Sequence, residues 1–245
     1  MIIIASDFDG TLNHHGISGE DKDAITKFRE KGNKFGLVTG RDLEQALWVV
    51  KDLKRASLEV DFVICCTGAV MLNGNGEIVK IKKQKIAPFL HELLEYARTL
   101  ELGSFRASNE LVVCHFDAYG KIENSFDILG EFTQANAWFY KEEDAKGFTK
   151  YVRENYSDKI SIFQNGGSVD MPPCGTSKVT GIYDYARDFE GAKIYTVGDN
   201  VNDIPMLEEF EGYAVSNARD EVKLVAKHQC NRIADMIEEI MKENK

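Results

Sequence analysis

The sequence predicts an α/β protein in which a smaller α+β domain is inserted into a core built on a doubly wound parallel sheet. Short apolar strands alternate with amphipathic helices in the first and last parts of the 245-residue chain, and this alternation is typical of parallel sheets covered by helices. The middle of the chain differs, because its short strands follow one another through turns. Two predicted core strands also end directly before acidic loops, at the edge where doubly wound sheets bind ligands.

The first part of the chain contains three predicted strands. The first is Ile2–Ser6, an apolar run that ends before an acidic loop. A helix follows, because Ser18 begins a capping-box pattern and Gly32 supplies a stop. Further strands are predicted at 35–38 and 62–66, with an amphipathic helix between them. This order favours a parallel sheet.

The pattern changes near Lys83, where we predict that the inserted domain begins. Just before it, the Asn-Gly-Asn-Gly stretch at 73–76 predicts a hairpin turn. It does not fit a nucleotide-binding loop, because the G-x-G-x-x-G spacing and a following helix are missing. The elements predicted inside the insert are a helix at 89–97, a strand at 111–116, an amphipathic segment at 148–152, and strands at 160–163 and 168–171.

The core pattern resumes after Gly175, behind a break at Pro172 and Pro173. The elements predicted in this last part are a helix at 179–186, strands at 192–197 and 213–215, and a closing helix at 233–240. We therefore assign residues 1–82 and 172–245 to the core and residues 83–171 to the inserted domain.

Charge and composition exclude several classes of partner. The net charge is −10, which repels nucleic acids and anionic membranes. No apolar run approaches the length of a membrane span, and the N-terminus has no signal-peptide pattern. The five cysteines are odd in number and form no C-x-x-C pair, which favours a reducing, cytoplasmic location. The oligomeric state stays open.

Asp7 and Asp9 directly follow the first strand, in the stretch Asp-Phe-Asp-Gly-Thr. Residues two apart in an extended chain point the same way, so both carboxylates can face one site. Adjacent carboxylates repel each other unless a cation or a proton intervenes, and Mg²⁺ is the hard cation that suits phosphate chemistry. The alternative is a turn in which Asp and Gly have a purely structural role.

A second acidic loop contains Asp199 and Asp203 and follows the strand predicted at 192–197. It would bring two more carboxylates, and the amide of Asn202, to the same edge of the sheet. The alternative is a solvated loop in which Asp203 caps the next helix. Two acidic strand ends in one sheet favour the metal site.

Two further features are consistent with a phosphate site. Thr39, Gly40 and Arg41 follow the second strand, where a hydroxyl, a bare backbone and helix N-terminal amides can bind phosphate. The alternative is a plain turn with Thr39 as the helix cap. Lys178 lies at the start of a helix, where the dipole disfavours a cation, so it indicates either a functional role or a solvated surface lysine.

These elements, in this order, resemble the haloacid-dehalogenase-like hydrolase superfamily, and within it the Cof-type phosphatases with an α/β cap. The four motifs of that superfamily match Asp7-x-Asp9-Gly10-Thr11, Thr39-Gly40-Arg41, Lys178, and Gly198-Asp199-x-x-Asn202-Asp203. The resemblance implies that the insert is a cap that determines specificity. Arg106 in the insert is interpreted as a surface arginine, with contact to the non-phosphate end of a substrate as the alternative.

The resemblance also implies the role of each site residue. Asp7 would be the nucleophile that forms an aspartyl phosphate, and Asp9 would be the acid–base residue. Mg²⁺ would be bound by the Asp7 side chain, the Asp9 carbonyl, Asp199 and Asp203. The residues that bind the phosphoryl oxygens would be Thr39, Gly40, Lys178 and Asn202.

The function expected from this resemblance is hydrolysis of a small phosphorylated metabolite, such as a sugar phosphate. A phosphomutase on the same scaffold is an alternative, because the motifs do not show whether the phosphoryl group passes to water or back to substrate. A third alternative is a non-catalytic signalling domain that accepts phosphate. The presence of Asp9 disfavours it, because a receiver needs no acid for a leaving group.

Overall fold

The computed structural model describes residues 1–85, 88–117 and 129–244. The strands, in chain order, are β1 (Ile2–Ser6), β2 (Lys34–Val38), β3 (Phe62–Cys65), β4 (Val70–Asn73), β5 (Ile78–Ile81), β6 (Gln84–Lys85), β7 (Leu102–Ser108), β8 (Val113–Asp117), β9 (Glu131–Phe132), β10 (Gln134–Phe139), β11 (Phe163–Asn165), β12 (Ser168–Met171), β13 (Lys193–Gly198), β14 (Glu211–Val215) and β15 (His228–Cys230). The α-helices are α1 (Gly19–Glu30), α2 (Leu43–Arg55), α3 (Pro88–Arg98), α4 (Glu142–Tyr156), α5 (Lys178–Ala186), α6 (Ile204–Glu209), α7 (Asp220–Val225) and α8 (Ile233–Glu243).

The larger sheet has eight strands in the order β15-β14-β13-β1-β2-β3-β4-β5. Strand β1 pairs in parallel with both β2 and β13, whereas β4 and β5 continue the sheet antiparallel. Strands β2 to β5 therefore lie on one side of β1, and strands β13 to β15 lie on the other side. Ligands of open α/β sheets bind at the carboxyl ends of the strands where the order reverses. The predicted fold class is confirmed, and the reversal lies between β1 and β13.

The apolar run of β1 is buried along its whole length, as expected for a central strand of a parallel sheet. The same core contains Ile25 and Phe28 of α1, and Met236 and Ile240 of α8. The predicted hairpin at 73–76 is present, because it joins the antiparallel strands β4 and β5. The hairpin lies at the start of β3, where Asn73 pairs with Phe62, so it is at the edge of the sheet opposite the strand ends that carry the site.

The insert has its own antiparallel sheet, in the order β11-β12-β10-β7-β8. Its hydrophobic core is separate from that of the larger sheet and includes Phe105, Phe116 and Phe148. The insert is therefore a second, smaller α+β unit. The boundaries at 82/83 and 171/172 stay predictions.

Among the described strands of the insert, β6, β7, β9 and β10 were not predicted and others were misplaced. In β7 and β10 the strand signal is weak, because several positions hold Gly or Ala, which are depleted in strands. The strand predicted at 111–116 begins at Val113. The strand predicted around 160–163 is displaced, because β11 begins at Phe163 and Ile160 forms only an isolated bridge to Pro173. Among residues 1–85, 88–117 and 129–244, no helix is long and apolar enough to cross a membrane.

Candidate active site

The predicted site residues lie in loops at the carboxyl ends of β1, β2 and β13, and at the start of α5. The backbone N–H of Asp7 donates to the carbonyl of Val197 at 2.9 Å, which joins the first acidic loop to the end of β13. The backbone N–H of Thr39 donates to the carbonyl of Ile64, also at 2.9 Å. Hydrogen bonds of the sheet thus continue into these loops and fix their backbones.

Lys178 forms a buried cluster with two of the predicted acidic residues. Its Nζ atom lies 2.7 Å from Oδ1 of Asp7 and 2.6 Å from Oδ1 of Asp203. The Lys178 side chain is 3% exposed, so the alternative of a solvated surface lysine is wrong. Burial favours its neutral form, but the charges of Asp203 and Asp7 outweigh that effect and raise the pKa of Lys178. The ammonium group is therefore charged and bridges the two carboxylates.

Asp203 supports the backbone of its own loop. Its Oδ2 atom accepts hydrogen bonds from the backbone N–H groups of Asp199 and Asn200, both at 3.1 Å. Asp203 occupies the N-cap position of α6, but its side chain makes no capping hydrogen bond to that helix and is fully buried. The alternative of a solvated loop capped by this side chain is therefore wrong. The close packing of the Asp203 side chain against the end of β13 requires a glycine at position 198, because a Cβ there would lie 2.6 Å from the Cβ of Asp203.

Asp199 is fixed by the first acidic loop. The hydroxyl of Thr11 donates to Oδ1 of Asp199 at 2.9 Å. Gly10 has a φ of +84°, and a Cβ at this position would lie 2.4 Å from Oδ2 of Asp199. The glycine of the Asp-Phe-Asp-Gly-Thr stretch thus allows both the turn and the close approach of the two loops.

Carboxylate oxygens of Asp7, Asp199 and Asp203 lie within 4.8 Å of one another. Burial raises the pKa of Asp7 to about 8, with Lys178 opposing the shift and the charges of Asp203 and Asp199 adding to it. Burial and the charge of Asp203 also raise the pKa of Asp199. One ammonium group does not compensate three clustered carboxylates, and a hard divalent cation with oxygen ligands fits this donor set.

Asp9 lies apart from this cluster and forms an ion pair with Arg41. Nε and one terminal nitrogen of Arg41 each lie 2.7 Å from an oxygen of Asp9, which is the two-point geometry of a strong guanidinium–carboxylate pair. The Arg41 guanidinium also lies 5.3 Å from the centre of the Phe8 ring. Two contacts thus fix Arg41, which was named in the sequence motif but not among the site residues.

The helix that follows β2 is not capped by Thr39, which was the alternative role for this residue. Asp42, rather than Thr39, is the N-cap of α2 and forms a capping box with Gln45. The Thr39 hydroxyl accepts a hydrogen bond from the backbone N–H of Arg41 at 3.2 Å. The Thr39 side chain therefore lies inside the loop at 39–41, which the sequence predicts to bind phosphate.

A cavity of about 260 Å³ lies between the two sheets of the protein. The predicted residues that line it are Asp7, Asp9, Thr39, Gly40, Asp199 and Asn202. Lys178 and Asp203 are buried next to it, against Asp7. The structure thus brings all eight predicted site residues to one place.

The insert contributes the opposite wall of this cavity, which the sequence analysis missed. We call it the polar face, and its members are Arg106, Ser108, Gln134, Asn136, Ser168 and Asp170. Arg106 pairs with Asp42 of the core at 2.8 Å, so its interpretation as a plain surface arginine is wrong. Polar and apolar residues alternate in the stretch Gln-Ala-Asn-Ala at 134–137. That alternation was the available signal for a sheet with one polar face.

Solved structures of similar fold cover nearly the whole chain. A haloacid dehalogenase-like hydrolase from B. subtilis has a TM-score of 0.80 at 19% identity, over 97% of this chain and 99% of that chain. The subclass IIB sugar phosphatase BT4131 has a TM-score of 0.77 at 20% identity, over 100% and 99%. The phosphatase BT1666 from Bacteroides thetaiotaomicron has a TM-score of 0.74 at 23% identity, over 100% and 95%. At these identities the similarity establishes the fold alone.

Sequence comparison establishes the family. No curated protein matches the chain significantly. A family model of haloacid dehalogenase-like hydrolases matches residues 4–236, which extend from β1 into α8 and include every residue of the site. The protein belongs to the haloacid dehalogenase-like hydrolase family.

Proposed function

We propose that this protein is a Mg²⁺-dependent phosphatase that hydrolyses a small, sugar-phosphate-like metabolite through an aspartyl phosphate on Asp7. The observation that carries the proposal is the position of the Asp7 carboxylate. It lines the cavity, and one of its oxygens accepts a hydrogen bond from a buried lysine. A carboxylate oriented in this way can attack phosphorus with its other oxygen.

The proposed metal would be bound by the Asp7, Asp199 and Asp203 side chains and by the main-chain carbonyl of Asp9. When bound, Mg²⁺ would neutralise charge between an anionic nucleophile and an anionic phosphoryl group. Lys178 adds a fixed positive charge beside Asp7. Together with the hydroxyl of Thr39 and the amide of Asn202, it would stabilise the charge on the transferring oxygens.

Asp9 is proposed to transfer protons in both halves of the reaction. Arg41 orients Asp9 through two hydrogen bonds, and as a carboxylate Asp9 would accept a proton from the attacking water. To protonate the leaving oxygen first, Asp9 must carry a proton, and a protonated carboxyl group binds a guanidinium more weakly. We therefore propose that Arg41 orients Asp9 through one oxygen while the other carries the proton, and through both oxygens during hydrolysis.

The proposal is tested with the purified protein, p-nitrophenyl phosphate and a panel of phosphorylated sugars. We expect turnover that requires a divalent cation, is lost in excess chelator and returns with Mg²⁺. Release of inorganic phosphate distinguishes a phosphatase from a mutase, which would return the phosphoryl group to the sugar. Full activity in chelator, with tightly bound metal excluded by elemental analysis, would contradict the metal assignment.

A further inference from the structure

The polar face opposite Asp7 follows from the register of the smaller sheet. Asn136 of β10 is paired with Asp170 of β12 on one side and with Arg106 of β7 on the other. These three residues therefore lie side by side on one face. The residues that alternate with them are fully buried in the core of the insert, namely Phe105, Ala107, Ala135, Ala137, Val169 and Met171. The face that borders the cavity is thus polar across three neighbouring strands.

Asp170 lies next to the loop that the sequence assigns to phosphate. Its Oδ1 atom accepts hydrogen bonds from Asn136 Nδ2 at 2.6 Å and from Gln134 Nε2 at 3.3 Å. The same Gln134 nitrogen donates to the carbonyl of Gly40 at 2.7 Å. A Cβ on Gly40 would lie 2.5 Å from Oδ2 of Asp170. Asp170 is therefore a buried acid at the point where the insert meets the phosphate loop.

The charges around Asp170 disfavour a second anionic group on the ligand. Among the described residues that line the cavity, the cations are Arg41 and Arg106. Arg41 is paired with Asp9, and Arg106 is paired with Asp42. A second phosphate or a carboxylate would therefore compete with carboxylates of the protein for both cations. It would also experience the charge of Asp170 at close range.

Unpartnered polar atoms on the polar face indicate the chemistry of a ligand. Gln134 is 4% exposed. Within the part of the chain that the structure describes, its Oε1 atom and the buried Nε atom of Arg106 have no hydrogen-bond partner. Buried polar atoms without partners are costly, so a ligand that both accepts and donates hydrogen bonds would be favoured here. A hydroxyl group does both. The cavity volume of about 260 Å³ also lies below the ~300–1,000 Å³ of typical ligand pockets, which favours a compact ligand.

We propose that Asp170 selects phosphate monoesters of a compact neutral polyol, by accepting a hydrogen bond from a hydroxyl group and by excluding substrates with a second anionic group. Gln134 and Arg106 supply the neighbouring acceptor and donor. This inference rests on the proposed phosphatase activity for its identification of the phosphate end. Selectivity can nevertheless be measured by binding alone, so the two proposals can fail separately.

The test compares glucose 6-phosphate, glucose 1,6-bisphosphate and 6-phosphogluconate, which share a six-carbon frame and differ in a second anionic group. The three affinities are measured by calorimetry with the Asp7→Asn protein in the presence of Mg²⁺, so that turnover does not interfere. The same affinities are then measured with Asp170→Asn added. Values of kcat/KM for glucose 6-phosphate and p-nitrophenyl phosphate are compared in proteins with Asp7 intact.

We expect the protein with Asp170 to bind the monophosphate at least about 10-fold more tightly than either doubly anionic ligand. Asp170→Asn should reduce that ratio by at least about 10-fold, because it removes the charge that repels the second anionic group. It should also lower kcat/KM for glucose 6-phosphate at least about 10-fold more than for p-nitrophenyl phosphate, which has no hydroxyl for Asp170 to bind.

The matched control is Glu143→Gln, which removes one negative charge from an exposed position on α4 of the same unit. It should change neither ratio. Equal affinity for singly and doubly anionic ligands, or an affinity ratio that Asp170→Asn leaves unchanged, would overturn the inference even if the protein is an active phosphatase. If turnover is absent but the affinity ratio depends on Asp170, the proposed activity is wrong and the selectivity assignment stands.

Discussion

Arg41 and Asp9 are joined by two hydrogen bonds of 2.7 Å at the mouth of the cavity that contains Asp7. Asp9 is two residues from Asp7 in sequence, yet its side chain is 52% exposed while that of Asp7 is 10% exposed. The two aspartates of one short motif are thus in different environments, one beside an arginine and the other beside a lysine. This difference is the structural basis for giving them different chemical roles.

The first prediction concerns Arg41. Arg41→Gln removes the group that orients Asp9, and we expect kcat for alkyl phosphates to fall by about 10- to 100-fold. This is less than the ~10²–10⁴-fold that a proton-transfer group contributes, because Asp9 itself remains. Aryl phosphates should be affected less, because their leaving groups need little protonation. The measurement is kcat for a series of substrates with different leaving groups. Arg41→Lys tests whether a single positive charge restores kcat for the alkyl phosphates.

Arg55→Gln is the matched control for Arg41, because Arg55 also pairs with an aspartate but is exposed. Exposed pairs contribute about 0–1 kcal/mol to stability, so this variant should retain both activity and fold. If Arg41→Gln slows alkyl and aryl phosphates equally, Arg41 does not act through Asp9.

The second prediction concerns Lys178. Lys178→Met leaves the carboxylates of Asp7 and Asp203 buried without their shared ammonium group. Removing one partner of a buried ion pair costs about 3–5 kcal/mol, and we expect a loss of that size in the free energy of unfolding measured with urea in metal-free buffer. Part of the loss should be recovered in Mg²⁺, because the cation also compensates the carboxylates.

The control for Lys178 is Lys150→Met, which removes an exposed lysine of α4 and should change stability by less than about 0.5 kcal/mol. A Lys178→Met protein as stable as the unmodified one in metal-free buffer would show that the acids of the cluster are not ionised together.

The third prediction is a pH dependence that arises from Asp170. Burial raises the pKa of Asp170 from its ordinary value of 3.8 to about 6, although Asn136 and Lys178 oppose the shift. Between these two values the folded state binds more protons than the unfolded state, so the contribution of Asp170 to stability falls as pH rises from about 4 to 6.

Asp170→Asn removes this dependence, because the amide does not titrate. We expect the variant to gain about 1–3 kcal/mol relative to the unmodified protein between pH 4 and pH 7. The measurement is urea unfolding of both proteins over this range, in parallel with Glu143→Gln. A difference that stays constant with pH would contradict burial of the Asp170 carboxylate.

The core could be predicted from the sequence because its signals are local. The apolar run of β1 has no polar interruption, and the acidic loops follow β1 and β13 directly. The parallel pairing of β1 with β13 then brings residues 7 and 199 together, although they are far apart in the chain. Strand pairing alone therefore places most of the predicted site residues in one cavity.

The polar face of the insert could not be predicted in the same way. Its residues are ordinary polar side chains such as Asn136 and Ser168, whose spacing has no recognised chemical signature. What assembles them is the antiparallel register of β7, β10 and β12, which depends on long-range pairing. For the same reason, the ion pair between Arg106 and Asp42, which joins the insert to the core, could not be predicted from the sequence.

The proposed phosphatase activity depends most directly on Asp7 accepting the phosphoryl group. Asp9→Asn should slow hydrolysis of the phosphorylated protein more than its formation from an aryl phosphate, because the second step needs a base for water. Acid quenching of this variant during turnover of p-nitrophenyl phosphate, followed by peptide mass spectrometry, should find a phosphoryl group on Asp7 and none when Asp7→Asn is added. A phosphoryl group on any other residue, or p-nitrophenol release that continues at full rate with Asp7→Asn, would contradict it.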